Sequence, residues 1–178
     1  MPGNAFITFS STTALANHTT VGDVKGESLQ EGYDGWIDIG DWSWDVEAEH
    51  SVTKGTGAAV GKAQPGVLSF SKFYDKSSPT TLAKMIKGVH FKSAVLVMCK
   101  QTGKSDTPEP YFWIIMSDVF TTKVSNKGAE DGSVSQDVEL VFKKVQIQYR
   151  PQGNDGVLGT AIPFEWDIAV NKVLQGAG

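Results

Sequence analysis

The sequence predicts a mainly β protein, an antiparallel two-sheet barrel or sandwich with one flanking α-helix from about Pro79 to Lys87. Three observations predict this class. Segments of alternating apolar and polar residues recur along the chain, and polar loops separate them. Only one segment has helical periodicity over a comparable length. The 178 residues suffice for a substantial core, so we interpret residues 1–178 as a single domain.

Residues 24–49 contain three of the five tryptophans and organise the prediction. Apolar and acidic residues alternate through Ile37–Asp38–Ile39 and change phase beyond Gly40. A change of phase beside a glycine predicts a β-bulge, and bent strands are typical of barrels. Trp36, Trp42 and Trp44 are interpreted as core residues, and the alternative is a platform that stacks on sugars.

Two loops interrupt the first part of the chain. A first strand, residues 5–9, precedes an apparent polar insertion at 10–22, and residues 24–28 form a second strand or continue the first. Residues 51–66 are rich in glycine and small side chains, which predicts a long loop. Such loops usually serve a function, so this one is a candidate for contact with a partner. The candidate assembly residues are Lys54, Gly55, Thr56, Gly57, Ala58, Ala59, Val60 and Gly61.

The helix follows a strand at residues 67–74. Ser78 is the expected N-cap, Pro79 fits the first helical position, and Gly88 is the expected stop. One apolar stripe follows helical spacing and is predicted to face the barrel; it consists of Leu82, Met85, Ile86 and Val89.

The remaining strands are predicted in hairpin order at residues 91–100, 111–120, 134–150 and 164–170. A second β-bulge is expected at Lys143–Lys144, where the alternation changes parity. Residues 125–133 are a polar connection.

Composition limits the classes of function. The net charge of −4 argues against nucleic acid as a partner, and no apolar run has the length of a membrane span. The N-terminus lacks the pattern of a signal peptide, so the chain is expected to start in the cytoplasm. A single cysteine, Cys99, excludes an internal disulfide and is interpreted as buried.

The sequence contains no convincing catalytic pattern. His18, His50 and His90 lack the spacing of metal ligands. The glycines before Lys62 lack the Ser or Thr and the flanking helix of a phosphate-binding loop. We therefore predict a protein that is not an enzyme and has no cofactor or metal.

Several motifs, in order, resemble the Hcp (hemolysin-coregulated protein) family, the tube subunits of bacterial type VI secretion systems. They are Asp23-Val-Lys-Gly-Glu-Ser28, Trp36-Ile-Asp-Ile39, Trp42-Ser-Trp44, Leu68-Ser-Phe-Ser-Lys72, Asp75-Lys-Ser-Ser-Pro79, Val138-Glu-Leu-Val-Phe142 and Phe164-Glu-Trp-Asp-Ile168. The chain departs from the family pattern at the insertion of residues 10–22.

The resemblance implies a homohexameric ring, stacked rings, and ejection of the resulting tube by a contractile sheath. It also implies a spike protein as partner, effector proteins carried in the lumen, and release from the cell without a cleavable signal. The glycine-rich loop would then reach a neighbouring subunit or the next ring. Two alternatives remain open: a phage-type tail tube protein, and a carbohydrate-binding β module.

Overall fold

A computed structural model describes residues 4–51, 59–103 and 106–176. Within them all strand pairs are antiparallel, and the main sheet has the order β2-β1-β5-β6-β7-β4-β3, with β8 beside β7 and β9 beside β8. The elements are β1 (Ala5–Ser10), β2 (Ile37–Asp38), β3 (Trp42–Ser51), β4 (Ala59–Phe73), α1 (Ser78–Lys87), β5 (Phe91–Lys100), β6 (Glu109–Gly128), β7 (Val134–Tyr149), β8 (Ile162–Asp167) and β9 (Lys172–Gln175). The predicted class, mainly antiparallel β with one helix, is confirmed.

The sheet closes on itself at Gly40. Its two ends, β2 and β3, are consecutive segments of the chain, so one bent stretch pairs with β1 and then with β4. At the bend, Gly40 N–H donates to Ser71 O at 2.7 Å, and Ser71 N–H donates to Asp41 O at 3.0 Å. A Cβ at Gly40 would lie 3.0 Å from Ser71 Oγ, so a larger residue would crowd that hydroxyl. The predicted bulge is therefore wrong: the phase changes because the chain changes its pairing partner.

Two apolar clusters lie on opposite sides of the sheet. The larger fills the barrel and includes Phe9, Leu96 and Leu140. The smaller covers the outer side of β1, β5 and β6, where Phe6 stacks on Tyr33 with centroids 4.7 Å apart. Residues 10–36 cover this side, so β5 is buried on both faces, as its sequence predicted.

β7 changes its neighbour halfway along its length. It pairs with β4 from Ser135 to Leu140 and with β8 from Lys144 to Tyr149. Its pairing with β6 runs past Lys143–Lys144 without a shift, so the predicted bulge there is wrong, and the shift lies in β6 between Thr121 and Lys123. Because β8 takes the position beside β7, the first half of β4 leaves the barrel.

The helix is held by polar contacts at its start. Lys72, only 4% exposed, donates from Nζ to Asp75 at 2.9 Å, and to the hydroxyls of Ser77 at 2.9 Å and Ser78 at 2.7 Å. Burial lowers the pKa of the Lys72 ammonium, and Asp75 opposes that shift. The N-cap is Ser77 without a side-chain cap bond, so the prediction of Ser78 as cap is wrong.

The apolar stripe of α1 is only partly turned inward. Leu82 and Met85 are half-buried, whereas Ile86 is 72% exposed and Val89 is also exposed. The fully covered residues of the helix are polar, Ser78 and Thr81. The prediction of an inward stripe is therefore wrong for its second half. Gly88 ends the helix with φ 66°, as predicted.

Three further predictions need correction. Residues 24–28 form no strand and contribute one bridge, from Val24 to Phe9. Residues 59–66 of the predicted loop belong to β4, and β6 continues to Gly128 into the predicted polar connection. Strand β9 was not predicted, because its four exposed residues carry no alternating pattern.

Candidate assembly surface

Four adjacent strands, β6, β7, β4 and β3, present a polar face to the outside of the barrel. Leu68, Phe70, Val138 and Leu140 point inward and are buried, and the residues between them point outward. The outward residues are small or charged: Ser43, Asp45, Glu47, Ser69, Ser71, Lys123, Ser125, Lys127, Ser135, Asp137 and Glu139. Part of this face forms an open groove of about 520 Å³.

Hydrogen bonds and one ion pair link neighbouring strands across this face. Lys127 pairs with Asp137, and the hydroxyls of Ser43 and Ser69 lie 3.0 Å apart. The Lys127–Asp137 pair is exposed, so its contribution to stability is small.

Both margins of this face are strand edges without a partner among the described residues. There, β3 pairs only with β4. On the other side, β5 pairs with β6 only up to Val119, and no described strand pairs with the outer edge of β6 from Thr121 to Gly128. Helix α1 packs against β6, but it forms no strand pairing. Exposed edges of this length normally require cover, so both are candidate interfaces.

Beyond the barrel, β3 and β4 continue as a two-stranded arm. Val46 pairs with Pro65, Ala48 with Ala63, and Ser51 with Ala59. A hairpin of two strands is marginally stable alone in water, and Asp45, Val46 and Glu47 of this one are exposed. Of the predicted assembly residues, Ala59, Val60 and Gly61 lie in this arm. Lys54, Gly55, Thr56, Gly57 and Ala58 lie outside the described residues.

The three central tryptophans belong to the core. Trp36 is buried in the smaller cluster. Trp42 stacks on Phe112 with centroids 5.6 Å apart and directs its N–H at Met98 Sδ, and Trp44 packs against Trp166. The interpretation as core residues is confirmed. None of the three rings forms an exposed platform, which removes the basis of the carbohydrate-binding alternative.

The groups singled out as possible reactive residues are separated. His18 packs on Trp113 with centroids 4.3 Å apart, and His90 Nε2 lies 3.6 Å from Asp118. Burial, together with the charge of Arg150, lowers the pKa of His18. Cys99 is buried as predicted, and burial raises the pKa of its thiol. No three potential metal ligands cluster among the described residues.

Among residues 4–51, 59–103 and 106–176, no helix has the length and apolarity needed to cross a membrane.

Together, the closed barrel, the two free edges and the protruding arm define a β-barrel protein suited to self-association. The family model described as "Type VI secretion system effector, Hcp" matches residues 18–149, and the chain belongs to this family. The chain is 34% identical over 154 residues to Protein hcp1 of Pseudomonas aeruginosa, a match that covers 85% of this chain and 93% of that protein.

Solved structures agree on the fold. A structure described as a type six secretion system protein has a TM-score of 0.80 at 24% identity, covering 95% of this chain and 98% of the other. Hcp1 from Salmonella typhimurium has a TM-score of 0.74 at 24% identity, covering 98% and 100%. At this identity they establish the fold alone.

Sequence reasoning missed the candidate surface on β6. The signal was present, since Lys123, Ser125 and Lys127 alternate with Val124 and Asn126. The polar residues suggested a loop instead, and only the pairing with β7 shows that the segment is a strand.

Proposed function

We propose that this protein is the subunit of the inner tube of a type VI secretion system. Copies join into a homohexameric ring, rings stack into a tube, and sheath contraction expels the tube with effectors in its lumen. The observation that carries the proposal is the polar four-stranded face with a free edge on each side. Membership in the Hcp family supports it.

The two free edges suit a ring rather than a two-fold dimer. In the order β6-β7-β4-β3, chain direction alternates at every step, so β6 and β3 run in opposite directions. If rotation brings the β3 of one copy beside the β6 of the next, the antiparallel alternation continues across the boundary. Contacts between unlike edges are heterologous, and they close a ring when the rotation closes.

The arm serves contacts beyond the ring boundary. Its described residues 45–48, Gly61 and Lys62 are exposed, and small residues such as Ala48 and Gly61 present little side-chain bulk to a partner surface. Residues Lys54 to Gly61 therefore contact a neighbouring subunit or the adjacent ring. The barrel acts as a rigid structural body in this role, without catalysis, a cofactor or nucleic acid.

The test is the solution mass of the purified protein, with particles viewed by negative-stain electron microscopy. Ring-shaped particles with the mass of six chains are expected. A monomer that persists at high protein concentration would contradict the proposal. Appearance in culture supernatant without cell lysis separates the secretion tube from a phage-type tail tube, which would stay inside intact cells.

A further inference from the structure

The two free edges of the four-stranded face carry opposite charge. On this face β3 presents Asp45 and Glu47, and β6 presents Lys123 and Lys127. All four side chains point to the same side of the sheet, because each alternates with inward neighbours.

The acids of β3 lack a cationic partner among the described residues. Glu47 lies opposite Gln64, and no salt bridge there involves Glu47 or Asp45. The lysines of β6 have acidic neighbours on β7, since Lys127 pairs with Asp137 and Lys123 lies opposite Glu139. Both lysines are exposed, so each can also face an acid of another chain.

We propose that Asp45 and Glu47 of one copy pair with Lys123 and Lys127 of the next copy, and that these pairs select the head-to-tail order of the ring. The inference rests on the proposed function. Two β3 edges would repel each other, as would two β6 edges, because like charges across neighbouring strands are unfavourable. Only unlike edges match, so the charges disfavour two-fold dimers at these edges.

The tilt of barrel strands brings these residues together. Within one copy, the strand registers place Val124 of β6 at the same height as Val138, Phe70 and Trp42. Without any offset, Lys123 and Lys127 would therefore lie near the first residues of β3. Strands in barrels tilt by about 35–45°, which offsets the next copy by roughly 13–19 Å, or about four to six residues, across four strands. In the direction that overlaps the two free edges, an offset of about four residues would place Lys123 opposite Glu47, and one of about six residues would place Lys127 opposite Asp45. At either offset the second lysine lies one outward position from an acid.

Charge reversal tests the inference. Asp45→Lys with Glu47→Lys gives a chain with two basic edges, and Lys123→Glu with Lys127→Glu gives a chain with two acidic edges. Each variant alone should form rings only at protein concentrations several-fold above those that suffice for the wild type, because association at each boundary is weakened by roughly fivefold. An equimolar mixture should regain rings, because each basic edge then meets an acidic one. Combining all four substitutions in one chain should also restore them.

The matched control reverses exposed charges away from the two edges, Lys87→Glu with Lys92→Glu and Glu31→Lys with Asp34→Lys. These variants should assemble as the wild type does. Circular dichroism of every variant checks that the barrel is folded.

A cysteine pair gives a second measurement that tolerates partial loss of assembly. Glu47→Cys with Lys123→Cys should cross-link between chains in a ladder up to six, since the native Cys99 is buried. If both charge-reversal variants form rings at the same protein concentration as the wild type, or if the cysteine pair never cross-links within intact rings, the charged boundary is refuted and the proposed tube subunit is not. A wild-type protein without any assembly would overturn both.

Discussion

Replacing Lys72 by Met should strongly destabilise the folded subunit. The substitution removes a buried ammonium that contacts Asp75, Ser77 and Ser78 at 2.7–2.9 Å, and it leaves a carboxylate with 11% side-chain exposure without its cation. Removing one partner of a buried ion pair lowers the free energy of unfolding by about 3–5 kcal/mol, a large part of the roughly 5–15 kcal/mol that is typical of a whole domain.

Urea unfolding followed by tryptophan fluorescence measures this effect at one fixed protein concentration. With a slope of about 2 kcal/mol per molar, the midpoint should fall by roughly 2 M. Lys76→Met is the matched control, because Lys76 is exposed four positions further along, and it should leave the midpoint nearly unchanged.

Adding Asp75→Asn to Lys72→Met should recover part of the loss, because the unpaired charge is removed as well. If Lys72→Met alone lowers the free energy of unfolding by less than about 1 kcal/mol, the argument that this lysine holds the start of the helix is refuted.

Four other outcomes follow from the structure. Burial lowers the folded-state pKa of His18, so the unfolded chain binds the proton more readily and stability is lost as pH falls below about 6.5. The difference between the urea midpoints at pH 7.5 and pH 5 should therefore be smaller for His18→Gln than for the wild type. Ile86→Asp should change the free energy of unfolding by less than about 0.5 kcal/mol, since Ile86 is 72% exposed, and a large loss would mean that the stripe is covered. Gly26→Ala should lower the melting temperature, because its Cβ would lie 2.3 Å from Trp36 O, whereas Gly128→Ala, with nothing within 4 Å, should be tolerated. Deleting residues 54–61 should leave the far-ultraviolet spectrum of a folded barrel while reducing stacked rings in micrographs; tubes of unchanged length would contradict the role of the arm.

Local pattern was sufficient to predict most elements. β5 matched its predicted bounds, and Gly88 ends the helix as expected, because alternation and capping depend on near neighbours in sequence. The sequence pattern gave the wrong prediction where the structure depends on which strand lies alongside. At Gly40 the alternation changes because the chain leaves β1 and pairs with β4. At Lys143 it changes where the pairing with β6 omits Lys143 and Asp118, whose φ is 53°. The sequence alone cannot distinguish either event from a bulge.

The candidate surface was harder to predict than the fold for a related reason. A strand whose residues are small or polar on one face and unpaired on one edge has the composition of a loop. Residues 59–66 and 121–128 both belong to this type. These segments form strands because they pair with β3 and β7, which lie elsewhere in the sequence.

One outer side of the barrel is buried by the chain itself and another is not, and this difference connects the fold to its proposed role. Residues 10–36 cover the outer side of β1, β5 and β6 with aromatic residues such as Tyr33 and Trp36, so the chain itself buries that side. The outer side of β3, β4 and β7 has no such cover among the described residues, and its side chains are serines and charges. A polar face needs no cover, but its free edges do. A ring of identical copies satisfies both conditions, since it pairs the edges and leaves the polar face in contact with water.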